Sequence, residues 1–491
     1  MFHILKNLAK HSAIYGAADM LSRAIGFVMI PLYTHYLTTS DYGTLELLDL
    51  TSYVVAMFLG LGISQAVVRY YFKYENEAMK QQVLSVAIIT LTAISMVMLA
   101  VLLLVSDNIS QFVFDSTGFS QMLNIVFITF VIQLGHEVPK VMLRVEEKSV
   151  LFVTISLART VLSLVLNIYF IVSLGMGVMG ILVSGLIANS LAGIVFTYYI
   201  FKRIKFSYSF PLAIELLKFG IPLVWSTFGM FILNFGDRFI LQRVMSLSEV
   251  GIYALAYKFG MMPNILVLAP FFMIWAPKRF EIAKEPNANS IFATVFTYFM
   301  FIELFISLGI AVLIKDVIQI IADASYADSY KYVGVLLVAY VLCGVYQYVQ
   351  FGIHVENKTK YLAYATLSAA GINIGLNLLL IPRIGIWGAA LSTLIAFLAL
   401  TAYTYWKSQP LYYIPYETSR LVKLIAVAFA LYGIALWIDT PNVALSLITK
   451  FLVACCYPLV LYVLKFYTDD ELRKAREILQ RFLRPLKSKT S

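Results

Sequence analysis

Charge is what this chain has least of. Only 13% of its 491 residues are Asp, Glu, Lys or Arg, against 61% hydrophobic, and its mean hydropathy is +0.83. Val83–Ser106, Tyr361–Pro382 and Ile384–Trp406 contain no charged residue. Neither does Thr160–Phe201, 42 residues with Gly175, Gly177 and Gly180 near its middle. A soluble core built from such runs would have nothing polar to show to water, so a soluble fold is excluded. Cysteine is nearly as scarce: Cys343, Cys455 and Cys456 all lie in apolar segments and lack ligand spacing. The adjacent pair is no CxxC, which excludes a disulfide framework or thiolate metal site and leaves small buried hydrophobes. None of the five His residues stands in a catalytic arrangement, and no nucleotide-binding Walker sequence occurs. The chain therefore does not read as an enzyme or an ATP-driven pump. Met1–Lys10 carries Lys6 and Lys10 without a small-residue cleavage site after a short apolar core, and reads as a cytosolic stub.

What is present is helix. A hydrocarbon core about 30 Å thick needs roughly 20 helical residues per crossing. The hydropathy pattern predicts an all-α polytopic membrane protein with fourteen helices: 12–37, 42–72, 83–106, 120–143, 150–174, 177–201, 219–244, 249–275, 291–314, 332–355, 361–382, 384–406, 420–438 and 443–465. Asp41-Tyr42-Gly43, Glu356-Asn357-Lys358 and Ser246-Leu247-Ser248-Glu249 supply turns or helix starts. With a cytosolic N-terminus, 27 Lys and Arg fall in cytosolic segments. Only Arg243, Lys315, Lys331, Arg383 and Lys450 fall outside. That asymmetry is what the positive-inside rule predicts, and it implies an even number of spans with both termini cytosolic. It also accounts for the formal charge of +10 without nucleic acid, because the basic residues are spread over many short loops. The tail from Asp469 to Leu486 has the periodicity of a basic amphipathic helix, suited to an anionic leaflet, a partner, or simple topological retention.

The chain nearly repeats itself at an offset of 208. Thr38-Thr39-Ser40-Asp41-Tyr42-Gly43 falls on Ser246-Leu247-Ser248-Glu249-Val250-Gly251. Gly177-Val178-Met179-Gly180 and Ser184 fall on Gly385-Ile386-Trp387-Gly388 and Ser392. Two matches at one offset, in the same topological position, predict two six-helix lobes over 1–205 and 206–410. They are related by an axis along the membrane normal, as in alternating-access transporters. Helices thirteen and fourteen (411–467) and the tail (468–491) lie outside the repeat.

Charges at membrane depth are few: Arg23, Arg69, Arg159, Arg238 and Lys258, with Asp19, Glu46, Asp49, Asp237 and Glu303. Each costs about 2.5–3.5 kcal/mol near the bilayer centre on insertion scales and must face water or a partner. Asp19 and Arg23 are spaced i,i+4 and either neutralise each other or serve a cavity. Asp237 and Arg238 are adjacent, do not share a helix face, and need partners elsewhere. Glu46 and Asp49, at i,i+3, invite an arginine opposite. Arg69 and Arg238 lie near helix ends. Arg23, Arg159 and Lys258 favour an anionic cargo such as a diphosphate, which guanidinium grips with two parallel donors.

Arg23–Tyr33 (RAIGFVMIPLY), Leu37–Gly43 (LTTSDYG) and Asn234–Gly260 (NFGDRFILQRVMSLSEVGIYALAYKFG) resemble the polysaccharide-biosynthesis flippases of the multidrug/oligosaccharidyl-lipid/polysaccharide superfamily, over residues 10–465. The resemblance implies a V-shaped pair of six-helix lobes in a bacterial or archaeal cytoplasmic membrane. It implies a cargo of undecaprenyl-diphosphate-linked saccharide, carried from the cytosolic to the outer leaflet with no enzymatic step. Polysaccharide polymerase or glycosyltransferases would be partners, alongside membrane lipids. Arg23, Arg159 and Lys258 become expected cavity residues, and Asp237–Arg238 the paired position ending helix seven. The superfamily implies no cofactor but coupling to a proton gradient, a sodium gradient or the membrane potential, with Asp19, Glu46, Asp49 and Glu303 as candidate carriers. Lipid II flippases and multidrug exporters of the same superfamily, or a non-transporting scaffold of a synthesis complex, are the alternatives.

Overall fold

The computed structural model describes residues 25–60, 62–146, 148–202, 204–438, 440–473 and 477. Asp19, Arg23, the start of the first expected helix and most of the expected tail helix lie outside these residues. Among the described residues there is no strand. The helices begin with α1 (25–36), α2 (Thr39–Gly60), α3 (Ile63–Lys73), α4 (Glu77–Leu104), α5 (Ser106–Phe114), α6 (Ser120–Gly135) and α7 (Glu137–Val145). They continue with α8 (Ser149–Ile168), α9 (Gly177–Phe201), α10 (Phe210–Val244), α11 (Leu247–Gly260), α12 (Ala269–Ile282) and α13 (Ala288–Ile321). The last are α14 (Tyr330–Val349), α15 (Phe351–Val355), α16 (Lys360–Ile384), α17 (Ile386–Ser408), α18 (Thr418–Leu436) and α19 (Val443–Val463). Twelve described stretches are long and apolar enough to cross a membrane, so the chain is an all-α polytopic membrane protein. They fall on twelve of the expected positions, and α1 and the 35-residue α10 occupy the other two.

The chain forms two compact units. The first reaches Leu255 and adds Ile321–Ser329 and Thr366–Ala396; the second holds Ala256–Ile320, Tyr330–Ala365 and the chain from Phe397 on.

Within the first unit, residues matched at the offset of 208 share local geometry. Gly177 and Gly385 both take left-handed backbone, with φ of 55° and 58°, to start α9 and α17. Glycine takes this conformation at no steric cost. Two turns on, Ser184 donates its hydroxyl to the Gly180 carbonyl and Ser392 to the Gly388 carbonyl, each at 2.7 Å. Gly43 and Gly251 pack reciprocally. A Cβ on Gly43 would lie 1.9 Å from the Leu247 carbonyl oxygen, and one on Gly251 would lie 1.9 Å from that of Thr39. The Thr39 and Ser248 hydroxyls close the contact at 2.7 Å.

Two spans of this unit are broken mid-course. Between α2 and α3, Gly62 has φ of 61°, and its Cα faces the Gly220 backbone of α10 so closely that a Cβ would come within 2.5 Å of the carbonyl oxygen. Between α6 and α7 the cause is Pro139, whose ring would collide with the carbonyl four residues back, at Gly135, where α6 ends. The His136 ring fills the break, packed on Gly193 and 5.3 Å from the Phe196 ring.

The second unit is closed by aromatic rings. Trp275, Phe292, Phe296, Phe299, Tyr348 and Phe351 form one buried cluster, with Phe292 and Phe351 stacked at 4.6 Å and Trp275 on Tyr348 at 5.6 Å. The Tyr348 hydroxyl donates to the Phe292 carbonyl at 2.8 Å, the partner a buried phenol requires. This unit also brings Lys450, counted with the outer charges, onto a buried acid. Helix α13 runs on to Ile321, so Asp316 lies inside it, and Lys450 lies inside α19. The two meet at 2.6 Å, 4% and 5% exposed, with the Ser446 hydroxyl donating to the other Asp316 oxygen at 3.0 Å. Each charge makes the other tolerable at depth, which a window scoring residues singly cannot detect.

Candidate functional site

A cavity of about 710 Å³ lies in the first unit among α2–α3, α6–α7 and α10. One wall is a single helical stripe, Phe130, Gln133, Leu134, Glu137, Val141 and Arg144, at three- and four-residue spacing across the Pro139 break. By helical rise the stripe spans about 21 Å. The facing wall contributes Tyr53, Ser64 and Gln65, with Val224 and Thr227 from α10. Apolar side chains alternate with amides, hydroxyls and one charge of each sign.

Those two charges are not equivalent. Glu137 is occupied: Lys140 donates to one of its oxygens at 3.0 Å and Ser64 to the other at 3.3 Å. Arg144 has no acidic partner among the described residues and lies 5.9 Å from the Phe152 ring. The cavity is thus biased toward an anion.

The described residues singled out from sequence do not line this cavity. Arg159, on α8, donates to the side-chain oxygen of Asn189 on α9 at 3.2 Å. Arg69 is exposed on α3, its guanidinium 4.5 Å from the Phe219 ring. Asp49 is exposed on α2, and Lys258 is half-buried on α11 in the second unit. Glu303 is fully buried in α13, and neither carboxylate oxygen has a hydrogen-bond partner among the described residues. It lies against Gly344 of α14, where a Cβ would come within 2.5 Å of both oxygens.

Asp237 and Arg238 are both fully buried, and they meet directly although adjacent residues do not share a helix face. The Arg238 guanidinium folds back along α10, donating to Asp237 at 2.6 Å and to the Asn234 carbonyl at 2.7 Å. A long side chain reaches a neighbour that helical spacing alone would exclude. Outside partners are present too. Glu46 lies 3.6 Å from the guanidinium, so Arg238 is the arginine its carboxylate invited. Tyr253 donates to Asp237 at 2.7 Å and Thr393 at 3.3 Å, and the guanidinium sits 4.9 Å from the Tyr253 ring centre.

Sequence reasoning missed Gln65, Gln133 and Arg144. By the positive-inside rule Arg144 is one of the 27 cytosolic charges, just past the expected helix 120–143. The signal was the 133-137-144 spacing, which puts polar groups on one face of an otherwise apolar helix.

No curated protein sequence matches the chain. Among solved structures, the lipid II flippase MurJ in an inward closed conformation aligns over 93% of this chain and 100% of its own, at 16% identity and a TM-score of 0.73. A multidrug resistance MATE family transporter of the MOP superfamily aligns in its inward-facing conformation over 79% of this chain and 94% of its own. That match has 16% identity and a TM-score of 0.63; the outward-facing conformation gives 0.57 at the same identity, over 82% and 96%. The fold is therefore that of the flippase and multidrug-transporter superfamily, whose solved members are transporters rather than enzymes. Residues 8–282, more than half of the chain, match the family model described as polysaccharide biosynthesis protein, and the chain belongs to that family.

Proposed function

We propose that this protein moves a lipid-linked sugar across the cytoplasmic membrane by alternating access between two six-helix lobes, with helices thirteen and fourteen as an appendage and both termini cytosolic. The observation that carries the reading is the cavity at Gln133 and Arg144, a space among apolar helices into which amides, hydroxyls and charges are set. A scaffold has no need of such a space. Its bias toward anions and the family membership support a cargo with phosphate and sugar, transferred from the cytosolic to the outer leaflet.

Physically, a diphosphate and its glycan cross inside the protein while the prenyl chain stays in lipid. The cavity supplies water, amides and charge, and rocking of the lobes exposes the headgroup to one side and then the other. Arg23, Arg159 and Lys258 would guide the headgroup. Glu303, Glu46, Asp49 or Asp19 would couple the cycle to a proton or sodium gradient.

Two narrower cargoes fit this class. The family supports an undecaprenyl-diphosphate-linked saccharide repeat unit, and the likeness of fold supports lipid II or, without a lipid, a small molecule exported as multidrug transporters do. In proteoliposomes, the glycan of a prenyl-diphosphate saccharide or of lipid II becomes lectin- or enzyme-accessible on the far leaflet only with the protein. Which of the two moves faster assigns the cargo. Efflux of organic cations with neither lipid moved would overturn the lipid-linked reading.

A further inference from the structure

The second unit buries a cation that its own chain leaves unanswered. Arg279 stands in α12, one turn after Trp275, and only 8% of it is exposed. Two of its nitrogens, Nε and Nη1, are buried without a hydrogen-bond partner among the described residues. None of the described acids pairs with it either, and Glu281, two residues on, lies 3.8 Å from Lys278 instead. Arg238 in the first unit is equally buried but has Asp237 and Glu46 beside it. We infer that Arg279, together with His354, binds a phosphate group on the cytosolic side of the second unit, and that a membrane phospholipid supplies it through its headgroup. The inference does not depend on the cargo, whose cavity belongs to the first unit.

The surroundings of Arg279 hold its charge without satisfying its donors. The guanidinium lies 5.2 Å from the Phe280 ring centre and 5.3 Å from that of Phe351. Aromatic faces attract a cation and fix its plane, but they are not the oxygen acceptors that guanidinium N–H groups require. His354 on α15 is half-buried and feels the positive charge of Arg279. Two basic side chains thus converge where none of the described carboxylates pairs with either. An ion with several acceptor oxygens answers both, taking parallel donors from the guanidinium and an N–H from the imidazole. The part of Arg279 that remains exposed is its way in.

Depth and flank favour a lipid as the source of the phosphate. Arg279 precedes Ile282, the end of α12, by only about 4.5 Å of helical rise, and His354 is next to last in α15. Both therefore lie where a span ends, the level at which headgroup phosphates sit. Lys278 and Lys284 are exposed around them and draw an anionic leaflet closer. Met273, Ile274 and Phe280 are large exposed apolar residues of the same helix, a surface along which acyl chains can lie. A soluble phosphate would use the basic groups but gain nothing from that flank.

The test reads the thermal midpoint of the delipidated full-length protein in a neutral detergent. Three probes are titrated: short-chain phosphatidylglycerol, the matching diacylglycerol without phosphate, and inorganic phosphate against chloride at equal ionic strength. Phosphatidylglycerol should raise the midpoint saturably, and diacylglycerol should not. Arg279→Met should weaken the apparent affinity about tenfold to a hundredfold, with Arg279→Lys between and His354→Asn losing several-fold. Without ligand, Arg279→Met should be at least as stable as the unaltered protein, because it removes a buried charge that has no partner in the chain. A sharp fall in that midpoint would reveal a protein acid facing the guanidinium and overturn the site. No shift with either phosphate probe, or an unchanged response in folded Arg279→Met, also overturns it. Saturation by phosphatidylglycerol well below the concentration of inorganic phosphate needed confirms the headgroup, and equal saturation by inorganic phosphate overturns the lipid as occupant while upholding the phosphate site.

Discussion

The two units bury polarity in opposite ways. The first holds Asp237, Arg238, Glu46, Tyr253 and Thr393 in a shared network and has a cavity among its broken helices. Among the described residues, the second is filled by aromatic rings and buries the Asp316–Lys450 pair and, separately, Glu303. In lipid, where helices gain nothing by hiding from water, shape and hydrogen bonding decide packing. A network lets several groups share one charge, whereas a pair depends on a single distance.

The largest blow to this contrast should come from Gly43→Leu or Gly251→Leu. Each drives a side chain into a backbone carbonyl of the first unit, costing more than about 4 kcal/mol, and should eliminate folded protein as seen by detergent size exclusion. Next, Arg238→Ala should cost about 3–5 kcal/mol by stranding Asp237, and Asp237→Ala should relieve less than half of that, because Glu46 also faces the guanidinium's place. The pair in the second unit should behave differently. Lys450→Met alone should cost about 3 kcal/mol, but Lys450→Met with Asp316→Leu should recover nearly all of it in thermal unfolding. If the double substitution stays as unstable as the single one, the pair is part of a wider network and the contrast fails. The smallest effects are single hydrogen bonds: Tyr348→Phe and Arg159→Ala should each cost about 1 kcal/mol, since Arg159 leaves behind only the neutral amide of Asn189. A larger loss for Arg159→Ala would reveal an acidic partner.

The helices were legible because uncharged runs of adequate length have no other explanation. The matched glycines were legible because Gly177 and Gly385 need the same backbone. Pairing was not legible. Helical periodicity reports which residues share a face, and Arg238 reaches Asp237 by folding its side chain rather than by sharing one. The Asp316–Lys450 pair was not legible because hydropathy scores each residue against lipid, while the fold sets each against the other. Arg144 was visible as a charge but not as a cavity residue, since its exposure depends on how Gly62 and Pro139 break two spans.

The contact between Gly43 and Gly251 has a consequence for genetics. At most tight sites a damaging enlargement can be rescued by trimming whatever it strikes. Here the struck atoms are main-chain oxygens, of Leu247 and Thr39, which no codon can shorten. A selection for suppressors of Gly43→Ala should therefore return true revertants at that codon and nothing at residue 247 or 251.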